Sequence, residues 1–385
     1  MSPEGQAART TRDEPGTVRH LYVHLPFGAH RRAHSDFVTL VGRHGDHGRY
    51  VDALLRELEL ERALLADQLE TVFIGGGTPT FTEPAALSRL LAQLPVAAEV
   101  TIEADAETLT AELAQVLRSA GVTRVSLDVQ SFRPHLLQVL ERGARGDAVR
   151  DAVYALRGAS FDNINLDLLY GVPGQSAADL ERDLEEALAL QPEHLSCYEL
   201  EAKPGTRFAN THEDELARQS EALDGYFERV VDELSSAGYR WYETASFCRA
   251  ADQAGGRDLR SRHNLAYWLG RDYLGLGIGA VSTVAGRRWR NVRGLSRYAD
   301  ALETGEQPPR EIEPIDAGVA GRERLLFGLR LDEPLHLEAV GEALDHDALA
   351  RLAALGLVRV DGERVSLTRR GRFLGDGVSA ELIAF

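Results

Sequence analysis

Six short β-rich runs alternate with longer amphipathic stretches in the first half of this chain, and this alternation restricts the fold more than any other feature. The runs lie at residues 21–25, 71–74, 99–103, 124–129, 163–169 and 194–200. The stretches between them carry apolar residues at helical spacing, as at 50–67 and 84–94. Apolar strands separated by helices predict a parallel sheet covered by helices, and six such units close most of a barrel. An open, doubly wound sheet is the alternative.

The chain length and the local composition predict more than one folded unit. A chain of 385 residues is long for one core and fits a barrel of roughly 250 residues with a smaller appended unit. Residues 1–17 have the composition of a flexible leader, and 18–247 form the predicted barrel, which includes a further strand at 239–247. Residues 248–310 form an extension that completes the barrel, with a Gly-rich loop at 251–261 and a turn-rich run at 275–279.

The tail, residues 311–385, has the pattern of a small winged-helix-like domain. Helical patterns at 322–329, 337–344 and 346–355 precede two strands at 357–360 and 365–367, which flank the turn Asp361-Gly362. Winged helices often bind DNA, and Arg369, Arg370 and Arg372 form a basic cluster. The tail nevertheless has nine Arg against fourteen Asp and Glu residues, so protein docking or structural capping is the favoured interpretation.

Charge and composition exclude several classes of protein. The 43 basic and 60 acidic residues give a net charge of −17, which repels phosphate backbones, so we predict no nucleic-acid partner. No apolar run has the length of a membrane span, and residues 2–19 lack the apolar core of a secretory signal, so a cytoplasmic protein is predicted. Cys197 and Cys248 are the only thiols, too few for a disulfide framework or a four-cysteine site, and Met1 is the only methionine.

Two features mark a candidate ligand site at the carboxyl ends of the predicted strands. The glycine-rich run 75–80 follows the second strand, where the backbone can approach a ligand closely, although a tight turn without a ligand is the alternative. Polar residues also close later strands, namely Glu103, Gln130 and Asp167. Each of these residues alone could be a core group whose hydrogen bonds are made within the protein. Three such residues that converge on one mouth of the barrel favour a ligand site.

Seven stretches resemble one protein family over almost the whole length, from about residue 18 to the C-terminus. They are 22–27, 75–80, 129–132, 163–175, 204–206, 262–268 and 367–372. These stretches resemble the HemW family of haem chaperones, relatives of oxygen-independent coproporphyrinogen III oxidase in the radical-SAM superfamily. The resemblance implies an α/β fold with a partial (β/α)6 radical-SAM-type barrel, an S-adenosylmethionine pocket and a HemW-type C-terminal domain.

The loop that should hold the iron–sulfur cluster departs from the family pattern. The family places CxxxCxxC after the His-x-Pro-Phe run, because three thiolates bind three irons of a [4Fe–4S] cluster and leave the fourth iron for S-adenosylmethionine. The corresponding residues here are Gly28, Arg32 and Ser35. Glycine has no ligating side-chain atom, arginine is a permanent cation, and a serine hydroxyl is a poor ligand for a soft metal. We therefore predict no cluster and no radical catalysis or coproporphyrinogen oxidase activity.

The same loop contains His30 and His34, with His24 just upstream. A histidine pair at this spacing can bind zinc on a helix, but Asp36 is the only further ligand candidate and Arg32 adds a positive charge. Solvated loop histidines are the favoured interpretation. Phe37 stands where the oxidases carry a fourth cysteine and HemW-like proteins an aromatic residue, which favours the HemW side.

The resemblance implies ligand contacts at individual positions. The family's S-adenosylmethionine contacts match Tyr22, Gly77, Thr78, Glu103, Gln130, Arg142 and Asp167. A carboxylate such as Glu103 can receive ammonium and ribose hydroxyl groups, and Arg142 can pair with a ligand carboxylate. Without an iron to chelate, S-adenosylmethionine loses its strongest anchor, so weak binding is expected. His263, in the Arg-His-Asn-Leu motif, is a candidate axial ligand of haem, with a structural role as the alternative. Cys197 is a second candidate, with a buried apolar residue as the alternative.

Four further positions depart from the family pattern. Ala106 and Asp128 replace the usual proline and glycine, and Ile278 and Val281 lie in the altered run 277–282, where the family often has histidine at the last altered place. Three hypotheses follow. The first is a haem-binding chaperone or carrier that serves haem-accepting proteins without radical chemistry. The others are a radical-SAM enzyme with a non-standard cluster site and a ligand-free, partner-binding barrel. Fold alone does not choose among them, and the sequence does not predict the oligomeric state.

Overall fold

The main sheet contains nine strands, and its first six are parallel and follow one another along the chain. The computed structural model describes residues 18–29, 38–143 and 146–384. The strands are β1 (His20–Leu25), β2 (Leu69–Gly76), β3 (Ala97–Asp105), β4 (Arg124–Gln130), β5 (Ile164–Tyr170), β6 (His194–Glu199), β7 (Tyr239–Glu243), β8 (Ser246–Arg249) and β9 (Leu274–Leu276). Their spatial order is β9-β1-β2-β3-β4-β5-β6-β8-β7. The predicted βα units are confirmed, and the order of β1 to β6 lacks the reversal that defines a doubly wound sheet.

Helices follow the strands and supply the outer layer of the barrel. The first six are α1 (His47–Glu61), α2 (Pro84–Leu91), α3 (Ala111–Ser119), α4 (Pro134–Val139), α5 (Gly146–Gly158) and α6 (Ala177–Ala189). Local signals set their ends: Thr110 caps the start of α3, and Ser176 forms a capping box with Asp179 at the start of α6. Apolar side chains of α1, α2, α3, α5 and α6 share one core with the strands. The helix predicted at 50–67 instead ends at Glu61 and continues as a 3-10 turn, Arg62–Leu64.

The central strands alternate apolar and polar side chains, and this alternation creates the site. In β4, Val125, Leu127 and Val129 belong to the apolar core, whereas Arg124 and Asp128 face a cavity inside the barrel. The same period of two runs through β1, β3, β5 and β6. Because successive side chains of a strand point to opposite faces, the outer face packs against helices and the inner face is polar. The interior of this barrel is therefore a cavity that polar and apolar side chains line together.

The extension adds strands to both edges of the sheet, and its detail differs from the sequence prediction. The single strand predicted at 239–247 is wrong, because the chain reverses at Ala245, where φ is +81°, and forms the antiparallel pair β7 and β8. The first two residues of the turn-rich run predicted at 275–279 instead belong to β9, which pairs in parallel with β1. The remaining helices here are α7 (Arg207–Thr211), α8 (Glu213–Ser220), α9 (Leu223–Ser236), α10 (Arg262–Trp268) and α11 (Leu295–Glu303). A second sheet contains β10 (Val281–Val284), β11 (Arg287–Asn291) and β12 (Arg310–Pro314).

A buried carboxylate holds this extension against the first helix. Glu57 of α1 is fully buried and accepts hydrogen bonds from Gly277 N (2.8 Å), Asn291 Nδ2 (2.6 Å) and the Tyr298 hydroxyl (2.5 Å). Two turns earlier on α1, the Tyr50 hydroxyl donates to His24 O (2.9 Å). Burial raises the pKa of Glu57 to about 7, although these hydrogen bonds oppose the shift. Ile278, one of the departures from the family pattern, thus lies in a densely bonded structural joint, where its N–H donates to the Tyr50 hydroxyl (3.0 Å).

The C-terminal unit has an apolar core of its own. Its helices are α12 (Ala317–Gly328), α13 (His346–Ala354), α14 (Arg369–Phe373) and α15 (Gly375–Glu381), and its sheet has the order β13 (Leu335–His336), β15 (Arg364–Leu367), β14 (Val358–Asp361). The helix predicted at 337–344 is instead a pair of 3-10 turns, Leu337–Ala339 and Gly341–Ala343, with Gly341 at a φ of +55°. The pattern did not predict α14 and α15. No helix in the described ranges is long and apolar enough to cross a membrane.

The basic cluster of this unit faces the barrel. The Arg372 guanidinium lies 3.5 Å from the centre of the Trp241 ring and donates to Trp241 O at 2.8 Å. Burial lowers the pKa of Arg372 to about 10. Arg369 pairs with Asp232 of α9 at 2.5 Å. Two of the three clustered arginines thus attach the unit to the barrel, as the capping interpretation predicts.

Candidate functional site

A cavity of about 940 Å³ lies inside the barrel and contains most of the predicted site residues. Five of the eight line it: Tyr22, Glu103, Gln130, Asp167 and His263. They come from β1, β3, β4, β5 and α10, so the fold brings together residues that are far apart in sequence. The volume is within the range of small-molecule and cofactor sites.

The other three predicted residues line a separate recess of about 30 Å³ at the edge of the barrel, and two of them have a structural explanation. A Cβ at Gly77 would lie 2.5 Å from Phe27 O, so the glycine is required by the chain's own backbone. The N–H of Gly77 donates to Leu25 O (2.8 Å), and that of Thr78 donates to Phe27 O (2.7 Å). These bonds favour the tight-turn interpretation of the glycine-rich run.

Arg142, the third residue of the recess, is held by two carboxylates of the chain. Its Nη2 lies 2.9 Å from Asp105 Oδ2 and 2.7 Å from Asp128 Oδ2, and its side chain is 10% exposed. Asp128 stands where the family usually has glycine. A ligand carboxylate would have to compete with these two acids for the guanidinium, so the departure at Asp128 bears directly on the predicted role of Arg142.

Glu103 and the glycine run are joined by a direct contact. Gly76 N donates to Glu103 Oε2 at 3.1 Å, and a Cβ at Gly75 would lie 3.0 Å from the same oxygen. The glycine therefore lets the carboxylate lie against the backbone at the carboxyl end of β2. This arrangement fixes one acid at the wall of the cavity.

Gln130 carries two marks of a ligand-binding position. It is 3% exposed with a φ of +64°, a backbone region that glutamine seldom adopts. Its Oε1 is buried and has no hydrogen-bond partner among the described residues. The next residue, Ser131, points away from the cavity, since its hydroxyl donates to Asp183 of α6 at 2.6 Å. Gln130 thus supplies an unsatisfied acceptor at the cavity wall.

Asp167 lies in a network of neutral polar groups. Its carboxylate accepts from Ser126 Oγ (2.9 Å) and Asn165 Nδ2 (2.9 Å). The Asn165 carbonyl oxygen in turn bonds with His194 Nδ1 at 2.6 Å. Burial raises the pKa of Asp167, and the charge of Asp128 adds to the increase, whereas the bond from Asn165 opposes it. The network fixes Asp167 as an acceptor at the cavity wall.

His263 lines the cavity with both ring nitrogens bonded. Nδ1 lies 2.7 Å from Thr71 Oγ1 and Nε2 lies 3.0 Å from the Tyr267 hydroxyl, while the ring stacks on Phe73 at 5.0 Å between centroids. The residue is 1% exposed, and burial lowers the pKa of His263 to about 3, so the imidazole is neutral. Neutral imidazole is the form that binds iron, but coordination through Nε2 requires loss of the Tyr267 contact.

Sequence reasoning missed several residues of the cavity, above all Arg124, Ser126 and Asn165. A signal for them was present, because they occupy the polar positions of strands whose other positions are apolar. A period of two in a parallel strand predicts a polar barrel interior. The polar residues at the strand ends mark the mouth of the cavity, whereas the polar residues earlier in the strands line its deeper part.

The residues of this chain do not fit a [4Fe–4S] cluster. Gly28 is buried and pairs with Val41 in the short strands Phe27–Gly28 and Leu40–Val41, whereas Arg32, Ser35 and the loop histidines His30 and His34 lie outside the described residues. Both thiols are buried: Cys197 belongs to the main apolar core, and Cys248 packs with Tyr242. Burial raises the pKa of both thiols, that of Cys248 to about 12. Within the described ranges, no group of three His, Cys, Asp or Glu side chains could hold a metal ion.

Comparisons with known proteins agree with the fold. A model of the radical SAM superfamily matches residues 33–187, and a model of the HemN C-terminal domain matches residues 315–374. The solved structure of coproporphyrinogen III oxidase (HemN) from Escherichia coli, a radical SAM enzyme, superposes with a TM-score of 0.74 at 23% identity, covering 96% of this chain and 91% of that chain. That likeness establishes the fold. The barrel and its C-terminal domain therefore define a protein of radical-SAM, coproporphyrinogen oxidase-like architecture.

Similarity in sequence narrows this class to one family. The chain is 37% identical over 384 residues to the heme chaperone HemW of Mycobacterium tuberculosis, with 96% of each chain covered. It is 31% identical over 379 residues to the heme chaperone HemW of Bacillus subtilis, covering 94% of this chain and 98% of the relative. The chain belongs to the HemW family, as the sequence motifs predict.

Proposed function

We propose that this protein binds haem in the barrel cavity and serves as a haem carrier or chaperone without radical catalysis. The observation that carries the proposal is a cavity of about 940 Å³ in a HemW-family barrel whose chain offers no thiolate set for a cluster. Haem delivery is a binding function, so it does not depend on a radical step. The relatives of this chain are named heme chaperones, so the partner that we propose is a protein that accepts haem.

The lining of the cavity suits haem better than it suits a cluster. Phe73 and Tyr198 supply aromatic surface, and His263 supplies an imidazole that could serve as an axial ligand. Bound haem would supply an iron that takes one or two axial ligands from the protein. The side chains that line the cavity, among them Phe73, Tyr198 and His263, would hold the porphyrin.

Haemin titration tests this proposal. We expect a saturable shift of the Soret band near one equivalent of haemin, and a weaker or spectrally altered complex in His263→Ala. His47→Ala is the matched control, since His47 is also a buried histidine, which accepts a hydrogen bond from Glu83 N (2.9 Å), but it does not line the cavity. Binding by the wild type that is no better than that of an unrelated acidic protein would favour the ligand-free barrel.

A second expectation concerns S-adenosylmethionine, for which Glu103, Gln130 and Asp167 remain in place. We expect weak binding by calorimetry, because no cluster iron chelates the ligand and Arg142 is already paired with Asp128 at 2.7 Å. Asp167→Ala should weaken binding further. Asp128→Asn keeps the side-chain shape but removes the competing charge, so it should strengthen binding several-fold. Unchanged affinity in both variants would show that the pocket assignment is wrong.

A further inference from the structure

The deep part of the cavity contains a buried arginine, Arg124, which has no role in the haem binding proposed above. Arg124 is the first residue of β4, so it lies at the amino ends of the parallel strands, away from the glycine run and the cluster loop. It is 2% exposed, and its side chain lines the cavity. The cavity therefore extends through the barrel to a guanidinium at its far end.

Within the described part of the chain, the Arg124 guanidinium has Glu99 as an electrostatic partner, but its Nε has no hydrogen-bond partner. Its Nε is buried without a hydrogen bond, and no described carboxylate forms an ion pair with it. Glu99 is the acid that faces it, but the carboxylate of Glu99 accepts from the backbone N–H groups of Arg262 (3.3 Å) and His263 (3.2 Å) instead. A buried cation without a hydrogen-bonded partner is unfavourable, so its presence beside a large cavity calls for an anion.

The groups around Arg124 are two imidazoles and one acid, Glu99. His194 and His263 are buried imidazoles whose pKa values are lowered, first by burial and further by the nearby charge of Arg124. Glu99 is the acid that faces this end of the cavity, and burial raises its pKa, with Arg124 opposing the rise. This end of the cavity can therefore accept a carboxylate, and a guanidinium binds carboxylates through two parallel N–H donors.

We propose that Arg124 binds a carboxylate of the ligand at the amino ends of the strands, and that for haem this group is a propionate. The inference rests on the proposed haem function and adds the orientation of the ligand: one porphyrin edge with its propionate points toward the amino ends of the strands. Arg124 is then a determinant of specificity for acidic porphyrins.

The test compares haemin with haemin dimethyl ester, in which both carboxylates are masked. We expect the wild-type protein to bind haemin about tenfold or more tightly than the ester, the effect of one charge-assisted contact. Arg124→Met should reduce haemin affinity to that of the ester and leave the ester unchanged, and Arg124→Lys should keep part of the preference. Arg293→Met is the control, since Arg293 is an exposed arginine that also lines the cavity.

Each outcome separates the two proposals. Equal binding of haemin and ester by the wild type would overturn the role of Arg124 and leave haem binding intact. Loss of the preference in Arg293→Met but not in Arg124→Met would place the carboxylate near Arg293 and also overturn it. No haemin binding by the wild type would overturn the haem proposal itself. The comparison of haemin with its ester in the wild-type protein needs no substitution, so it tests the role of Arg124 even if Arg124→Met does not fold.

Discussion

After anaerobic reconstitution with iron and sulfide, the wild-type protein is expected to retain close to zero iron and labile sulfide per chain. The reason is the absence of ligands: the family's three cysteine positions hold Gly28, Arg32 and Ser35. Cys197 and Cys248 do not replace them, because both are buried and burial disfavours the thiolate. Iron and sulfide assays, together with the broad visible absorption of a cluster, provide the measurement.

The reversion Gly28→Cys, Arg32→Cys and Ser35→Cys should raise both contents to about four per chain, since it restores the three thiolates of a [4Fe–4S] site. The same triple substitution in a Cys197→Ala, Cys248→Ala background is the control, and it should bind the cluster equally well. A stoichiometric cluster in the wild type would contradict the account and favour the radical-SAM enzyme with a non-standard site. A colourless triple variant would show that the loop has lost more than its thiols.

Glu57→Ala is expected to lower the free energy of unfolding by about 3 kcal/mol or more, because three buried donors lose their acceptor. These donors are Gly277 N, Asn291 Nδ2 and the Tyr298 hydroxyl, at 2.8, 2.6 and 2.5 Å from the carboxylate. Urea unfolding measures the loss. Glu59→Ala is the control, because Glu59 is on the exposed side of the same helix and should change the free energy by less than about 0.5 kcal/mol.

The same carboxyl should make stability depend on pH. Its pKa is raised from 4.5 to about 7, so the folded state holds a proton that the unfolded state releases between these values. This contribution to stability is present at low pH and is lost as the pH rises from about 4.5 through about 7. Glu57→Gln removes the titration, so the stability difference between wild type and variant should shift in favour of the variant as the pH rises. A difference independent of pH would contradict the assignment.

The sequence predicted the part of the fold that local patterns determine. The runs at 21–25 and 124–129 became β1 and β4 within one or two residues, since β propensity and apolar side chains coincide there. The prediction of a single strand at 239–247 was wrong because both halves of this run contain apolar and aromatic residues. The chain reversal at Ala245 also has no glycine or proline to mark it. Strand β9 was missed because three residues are too few for a periodic signal.

The candidate site was predictable to the extent that motifs mark it. Tyr22, Glu103, Gln130, Asp167 and His263 do line one cavity. Sequence could not show that Asp128 pairs with Arg142, because the two meet across a turn that only the fold defines. Nor could it show that His263 is bonded on both sides by Thr71 and Tyr267, since Thr71 lies far away in the chain. Such pairings depend on tertiary contacts.

Native mass spectrometry of the protein mixed with one equivalent of haemin tests the central claim most directly, because one spectrum reports haem, iron and sulfide on the same chain. The account predicts that each chain gains the mass of one haem and no mass of iron and sulfide. A spectrum in which the chain gains the mass of a [4Fe–4S] cluster, or gains no haem at equimolar concentration, would contradict it.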